Sequence, residues 1–141
     1  MLKKLMVGGN TPAVVWDDAA LSILRVFAGL AMAFGHGLKK VPPSERFVTG
    51  ITEMGFPTPE AFAWAAGLSE FAGGILLALG LLTRPSALAI AGTMVVAAFV
   101  GHAGDSFGDR EPALMYLAVM LVFVAAGSGR FGVDRFIRGG K

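Results

Sequence analysis

Ala63-Trp64-Ala65-Ala66-Gly67-Leu68-Ser69-Glu70-Phe71-Ala72-Gly73-Gly74-Ile75-Leu76-Leu77-Ala78-Leu79-Gly80-Leu81-Leu82 decides the fold. A run of about 20 apolar residues at 1.5 Å rise per residue matches a hydrocarbon core of about 30 Å, so the stretch reads as a membrane-crossing helix. It carries one carboxylate, Glu70, near its middle. An ionisable group at that depth is costly and points to a functional site with a partner to be found. Ala66, Glu70, Gly74 and Ala78 recur every fourth position, which puts Glu70 in a ridge of small residues facing another helix and not the lipid.

The rest of the chain agrees with a membrane setting. Of 141 residues, 55% are hydrophobic and only 16% charged, and the mean hydropathy is +0.67. That balance exceeds an ordinary soluble domain and leaves room for one integral membrane domain. There is no cysteine, so disulfides and thiol chemistry are excluded, and any redox role needs a cofactor or a partner. Residues 1–18, with Lys3, Lys4, Gly8-Gly9, Pro12 and Asp17-Asp18, lack an uninterrupted apolar core and read as an interfacial segment with Trp16 at headgroup level.

Residues 19–126 form the membrane domain, with spans over about 19–38, 60–82, 86–103 and 111–126. Asp17 or Asp18 is expected to cap the first span, and Thr58 the second, with Pro59 at its first position. Between these spans, Phe47, Val48, Ile51 and Met54 recur at helical spacing, either as a short amphipathic helix on the membrane or as part of a plain connector. Gly127-Ser128-Gly129 ends the fourth span, and 127–141 is a basic tail. The expected fold is an all-α membrane protein, an antiparallel four-transmembrane-helix bundle. Lys3, Lys4, Arg84, Arg130, Arg135, Arg138 and Lys141 gather on one side of it, which puts both termini in the cytoplasm.

In that topology His36, Lys40, His102, Asp105, Arg110, Glu111 and Tyr116 share the outer level above Glu70. Arg25, eleven positions before His36 and so on the same face of an ideal helix, is expected to reach toward Glu70 from below. Glu70, His36 and His102 are the candidate proton-exchanging residues, and Arg25, Lys40, Tyr116, Asp105 and Glu111 the candidate binding residues. Two histidines above a carboxylate suit proton exchange with a quinol hydroxyl or a quinone carbonyl. Each residue also fits a plainer role: an Arg25–Glu70 pair fixing helix register, interfacial histidines stabilised by helix C-termini, and Tyr116 as a belt anchor. No spacing for metal or haem ligation stands out, and none is expected. The tail suits membrane lipid headgroups and not nucleic acid. Small-residue faces on so small a chain also suit a homodimer.

Leu24-Arg25, His36-Gly37 and Lys40, Gly55-Phe56-Pro57, Glu70 with Gly73-Gly74 and Gly80-Leu81, and Gly127-Ser128-Gly129-Arg130-Phe131-Gly132-Val133-Asp134 together resemble the DoxX family of small four-span membrane proteins. Gly132 departs from the serine that relatives often carry there. The family takes its name from a subunit of an archaeal thiosulfate:quinone oxidoreductase. The resemblance implies a quinone-associated subunit of a membrane redox complex in sulfur or oxidative-stress metabolism, with a partner subunit supplying electrons. Similar proteins act as assembly factors or scaffolds, and a small transporter is a third reading, weakened by the lack of inverted repeats.

Overall fold

The structure, a computed structural model, describes residues 14–139. Most of the expected interfacial segment, with Lys3 and Lys4, lies outside the described residues, as does Lys141. Helix α1 (Val14–Leu30) continues through a π-turn (Ala31–His36) and a 3-10 turn (Gly37–Lys40). Helix α2 (Glu45–Glu53) follows, then α3 (Pro59–Leu79), α4 (Thr83–Val96) with a π-turn extension (Ala97–Gly101), α5 (Phe107–Ala126) and the short α6 (Val133–Ile137).

Three of these helical stretches are long and apolar enough to cross a membrane: Trp16–Lys40, Pro59–Leu79 and Thr83–Gly101, each with mean hydropathy 1.5. Helix α5 is 20 residues long but opens with Asp109, Arg110 and Glu111. Its apolar run, Pro112 to Ala126, is about 15 residues or roughly 22 Å.

Helix ends follow local chemistry. Gly80 adopts φ 69° after α3, a left-handed conformation that favours glycine, and Leu81 N–H then reaches back to the Leu76 carbonyl at 2.9 Å. This is a Schellman ending, and it turns the chain directly into α4. Ser44 caps α2, its Oγ accepting from Phe47 N–H at 3.3 Å, and α2 buries Ile51. Of the two readings of the first loop, a short amphipathic helix and a plain connector, the structure has the helix.

Two expected caps are corrected. Thr58 stands at the N-cap of α3 but makes no side-chain capping bond; its left-handed backbone instead turns its carbonyl toward the Ala61 and Phe62 amides. Neither Asp17 nor Asp18 caps α1, because the helix already runs from Val14.

Helix α1 packs on α3, α3 on α4 and α4 on α5, with α5 returning toward α1. Ala28, Met32, Leu77, Ile90, Met120 and Phe123 meet in the common core. The Glu70, Gly74 and Ala78 ridge of α3 meets a second row of small residues, Gly29, Ala33 and Gly37, on α1 and its extension. A methyl group on Gly29 would lie 2.6 Å from the Gly74 carbonyl oxygen, and one on Gly74 2.7 Å from the Gly29 carbonyl oxygen. Nearer the Glu70 level, Gly37 rests on the backbone between Glu70 and Phe71, and Gly67 on the Lys40 carbonyl. Such backbone-to-backbone contact is how helices gain packing energy where water supplies no hydrophobic force.

Candidate functional site

Glu70 is fully buried. Its ridge position presses it beneath the 3-10 turn of α1, and that turn delivers its partner: Lys40 Nζ donates to Glu70 Oε1 at 2.6 Å. Lys40 also lies 5.4 Å from the Phe47 ring centroid, so α2 covers the ion pair from outside. Among the described residues Glu70 Oε2 is buried with no hydrogen-bond partner. A buried acceptor in that state stands out, because such groups are normally satisfied.

Beside this pair lies a cavity of about 240 Å³. Its wall includes His36, Lys40, His102, Asp109 and Tyr116, with Met94, Ala97 and Ala113 on the apolar side. The His36 and Tyr116 rings meet edge-on, 5.4 Å between centroids, bridging α1 and α5 at this level. At the rim His102 Nδ1 lies 2.7 Å from Asp105 Oδ2, and Ser106 Oγ donates to Asp109 Oδ2 at 2.7 Å.

Both π-turns adjoin the cavity, one ending at His36 and the other just before His102. Each replaces i→i+4 by i→i+5 bonding and so shifts the face that the following residues present. In the second, the Ala98 carbonyl accepts from Arg110 Nε at 3.0 Å, and the Arg110 guanidinium lies over Phe99.

Not every expected residue gathers here: Glu70 meets the cavity through Lys40 and is not itself on the wall. The expected Arg25–Glu70 approach is overturned. Arg25, 2% exposed, donates to the Leu77 and Ala78 carbonyls at 2.9 and 2.8 Å, at the opposite end of the bundle from Lys40. Those carbonyls stand seven and eight positions past Glu70, roughly 10–12 Å along α3, which leaves the Glu70 carboxylate beyond the reach of the Arg25 side chain. The π-turn after Leu30 separately breaks the phase that put Arg25 and His36 on one face. Asp105 stays at the exposed rim on His102, while Glu111 is exposed and off the cavity wall. Asp109 is the carboxylate that lines the cavity. It stands seven positions before Tyr116, two turns on one helix face, whereas Glu111 stands five before it; that spacing was the available signal.

Around Arg25 the chain builds a second cluster. Beyond Gly127 the segment folds back onto the α3–α4 turn: the Asp134 amide donates to the Gly80 carbonyl at 2.8 Å, and its carboxylate receives the Leu82 and Thr83 amides at 2.7 and 2.9 Å. Asp134 thus caps α4, where negative charge meets the positive end of the helix. Arg25 also reaches the Phe131 carbonyl at 3.5 Å.

Burial pushes the Asp134 carboxyl upward, but the hydrogen bonds from Thr83 and Leu82, with the Arg138 charge, hold it below 3.8. A depressed carboxyl contributes stability that is present above the ordinary carboxylate range and is lost as pH falls through the folded value. The protection of the Leu82 and Thr83 amides against hydrogen exchange, relative to the intrinsic rate at each pH, is therefore expected to be high at neutral pH and to fall below about pH 4. In Asp134→Asn it is expected to be low at both; equal protection in the variant would remove the carboxylate's role.

The DoxX family model matches residues 20–103, covering α1 to α4 with both the Glu70–Lys40 pair and Arg25. The chain is 32% identical over 123 residues to the inner membrane protein YqjF of Escherichia coli (strain K12), covering 83% of this chain and 85% of that protein. No solved structure matches. Together with the apolar helices, these matches show that the chain belongs to the DoxX family and is a multi-pass inner membrane protein.

Proposed function

We propose that this protein is a quinone-binding subunit of a membrane oxidoreductase complex in sulfur-compound or oxidative-stress metabolism. It is built as a four-span bundle with both termini in the cytoplasm. The observation that carries the reading is a cavity walled by His36, Lys40, His102, Asp109 and Tyr116 next to the Lys40–Glu70 ion pair, whose Oε2 is buried and, among the described residues, without a hydrogen-bond partner. Glu70 itself is not on the wall, so a ligand hydroxyl would reach that acceptor past Lys40.

The residues fit a quinone headgroup. At about 240 Å³ the cavity is smaller than the roughly 300–1,000 Å³ typical for drug-sized ligands, so it admits a ring and not a whole lipid. When bound, a quinone supplies two-electron, two-proton chemistry, with the electrons passing to or from the partner subunit. Within the site, Lys40 holds the Glu70 charge, Glu70 and His36 exchange protons, and Tyr116 orients the ring. His102 and Asp109 connect them to water at the mouth. Met94, Ala97 and Ala113 supply the apolar wall.

The topology rests on charge. Among the described residues Arg84, Arg130, Arg135 and Arg138 stand at the Arg25 end, and Lys39, Lys40, Arg46 and Arg110 at the other; the sequence adds Lys3, Lys4 and Lys141 next to the first set. The short apolar run of α5 then crosses beside the Glu70 cavity, where the charged first turn sits at headgroup level.

The scaffold reading has one observation in its favour: Lys40 already neutralises Glu70, so the pair can stand without a ligand. The transporter reading fares worse, since Met32, Leu77, Met120 and Phe123 fill the level between Glu70 and Arg25. The test is quinone recovery from protein purified in mild detergent, read by mass spectrometry beside Glu70→Gln. Stoichiometric quinone in the wild type and about a tenfold loss in the variant is expected, the scale of one charge-assisted hydrogen bond. Folded wild-type protein without quinone would favour the scaffold.

A further inference from the structure

The segment after α5 is not a loose tail. Residues 127–138 form a clasp whose inner side is spent on the bundle. Ser128 is buried, Gly132 is packed so closely on Ser128 that a methyl group would collide with it, and Asp134 and Phe131 hold the α3–α4 turn and Arg25. Its outer side is different. Phe131, Phe136 and Ile137 are 56, 74 and 69% exposed. Around them stand Arg84, Arg135 and Arg138, which among the described residues have no carboxylate within 4.0 Å, and Arg130, whose contact with Asp18 is a loose 3.7 Å.

We propose that this outer side is a docking surface for anionic phospholipid headgroups of the adjoining leaflet, and that their binding tightens the clasp on the α3–α4 turn. The charge complementarity is direct: arginines without internal carboxylates meet phosphodiesters. The interleaved aromatic and aliphatic side chains select a lipid surface over a soluble anion, which would leave Phe136 and Ile137 in water. Because Asp134 and Phe131 lie in the same short segment, holding its outer side also holds the caps of α4 and the third contact of Arg25. This surface is at the opposite end of the bundle from Glu70 and stands whether or not quinone binds there.

The experiment is thermal unfolding of the full chain in nanodiscs of phosphatidylcholine alone and of a phosphatidylglycerol-rich mixture. Native mass spectrometry counts retained lipid. Wild type is expected to melt about 5 °C higher, or more, in the anionic discs and to retain phosphatidylglycerol selectively. Arg130→Gln/Arg135→Gln, clasp positions whose side chains make no hydrogen bond among the described residues, is expected to melt with wild type in phosphatidylcholine but to lose at least half of that gain. Lys39→Gln/Arg46→Gln, the same charge removed at the other end, is expected to keep it. The proposal is overturned if wild type gains nothing from the anionic lipid, if both variants lose the gain equally, or if the clasp variant keeps it.

Discussion

Lys40→Met is expected to destabilise the protein by about 3–5 kcal/mol, the scale observed when one partner of a buried ion pair is removed. Glu70 is fully buried, Lys40 Nζ at 2.6 Å is its one hydrogen-bond partner among the described residues, and Oε2 already lacks one. The variant strands a fully buried carboxylate with no donor side chain in place of Lys40. Removing both charges is a different matter: Lys40→Met/Glu70→Leu is expected to recover most of the loss, because apolar replacement of a whole buried pair is often neutral or better. Unfolding in mixed micelles with increasing denaturing detergent measures both. If Lys40→Met is as stable as wild type, the pair does not hold the bundle. The double variant also separates structure from function, since it is expected to fold yet recover no quinone.

The second large effect lies at the helix crossing. Gly74→Leu is expected to prevent α1 and α3 from closing, with a loss at or beyond the upper end of the about 1–3 kcal/mol usual for overpacking. The first added carbon would meet the Gly29 carbonyl oxygen at 2.7 Å and the Ala33 amide nitrogen at 2.8 Å. These are backbone atoms, which cannot swing aside as a side chain can, so the helices must separate. Separation also moves Gly37 off the Glu70 backbone and draws Lys40 away from its carboxylate, so the site is lost with the crossing. Gly92→Leu is the control, because a side chain there meets nothing within 4 Å. Yield of monodisperse protein and detergent unfolding read the difference. Equal behaviour of the two variants would show that the crossing tolerates a wider spacing.

A clasp at one end and an ion pair at the other give the small bundle two polar fastenings around a dry middle. This division matters because apolar side chains in lipid gain little by turning inward, and directional bonds and close backbone contact must carry the specificity. Arg25 illustrates it: its guanidinium stitches the C-terminal carbonyls of α3 to the clasp. A buried cation there is stabilised by carbonyl dipoles at the negative end of a helix, with Asp134 close by.

The sequence by itself determined that the chain is helical with apolar runs long enough to cross a membrane, and that Ala66, Glu70, Gly74 and Ala78 share one packing face, because each follows from a run length or a local period. It also singled out Glu70, since a lone carboxylate in an apolar run is conspicuous without any fold. Partners were another matter. Lys40 takes Glu70 from 30 positions away, and Asp134 takes Leu82 and Thr83 from 52 and 51 positions away. Only the tertiary structure decided these, because packing sets which helix ends meet, and the π-turns after Leu30 and Val96 change the angular phase of everything beyond them. Arg25 precedes both turns; it takes the Leu77 and Ala78 carbonyls because α1 lies on α3 with Arg25 level with the end of that helix, roughly 10–12 Å past Glu70. The clasp was hidden for a related reason: hydrogen bonds from backbone amides leave no mark on a sequence until the turn that offers them and the carboxylate that takes them have been folded together.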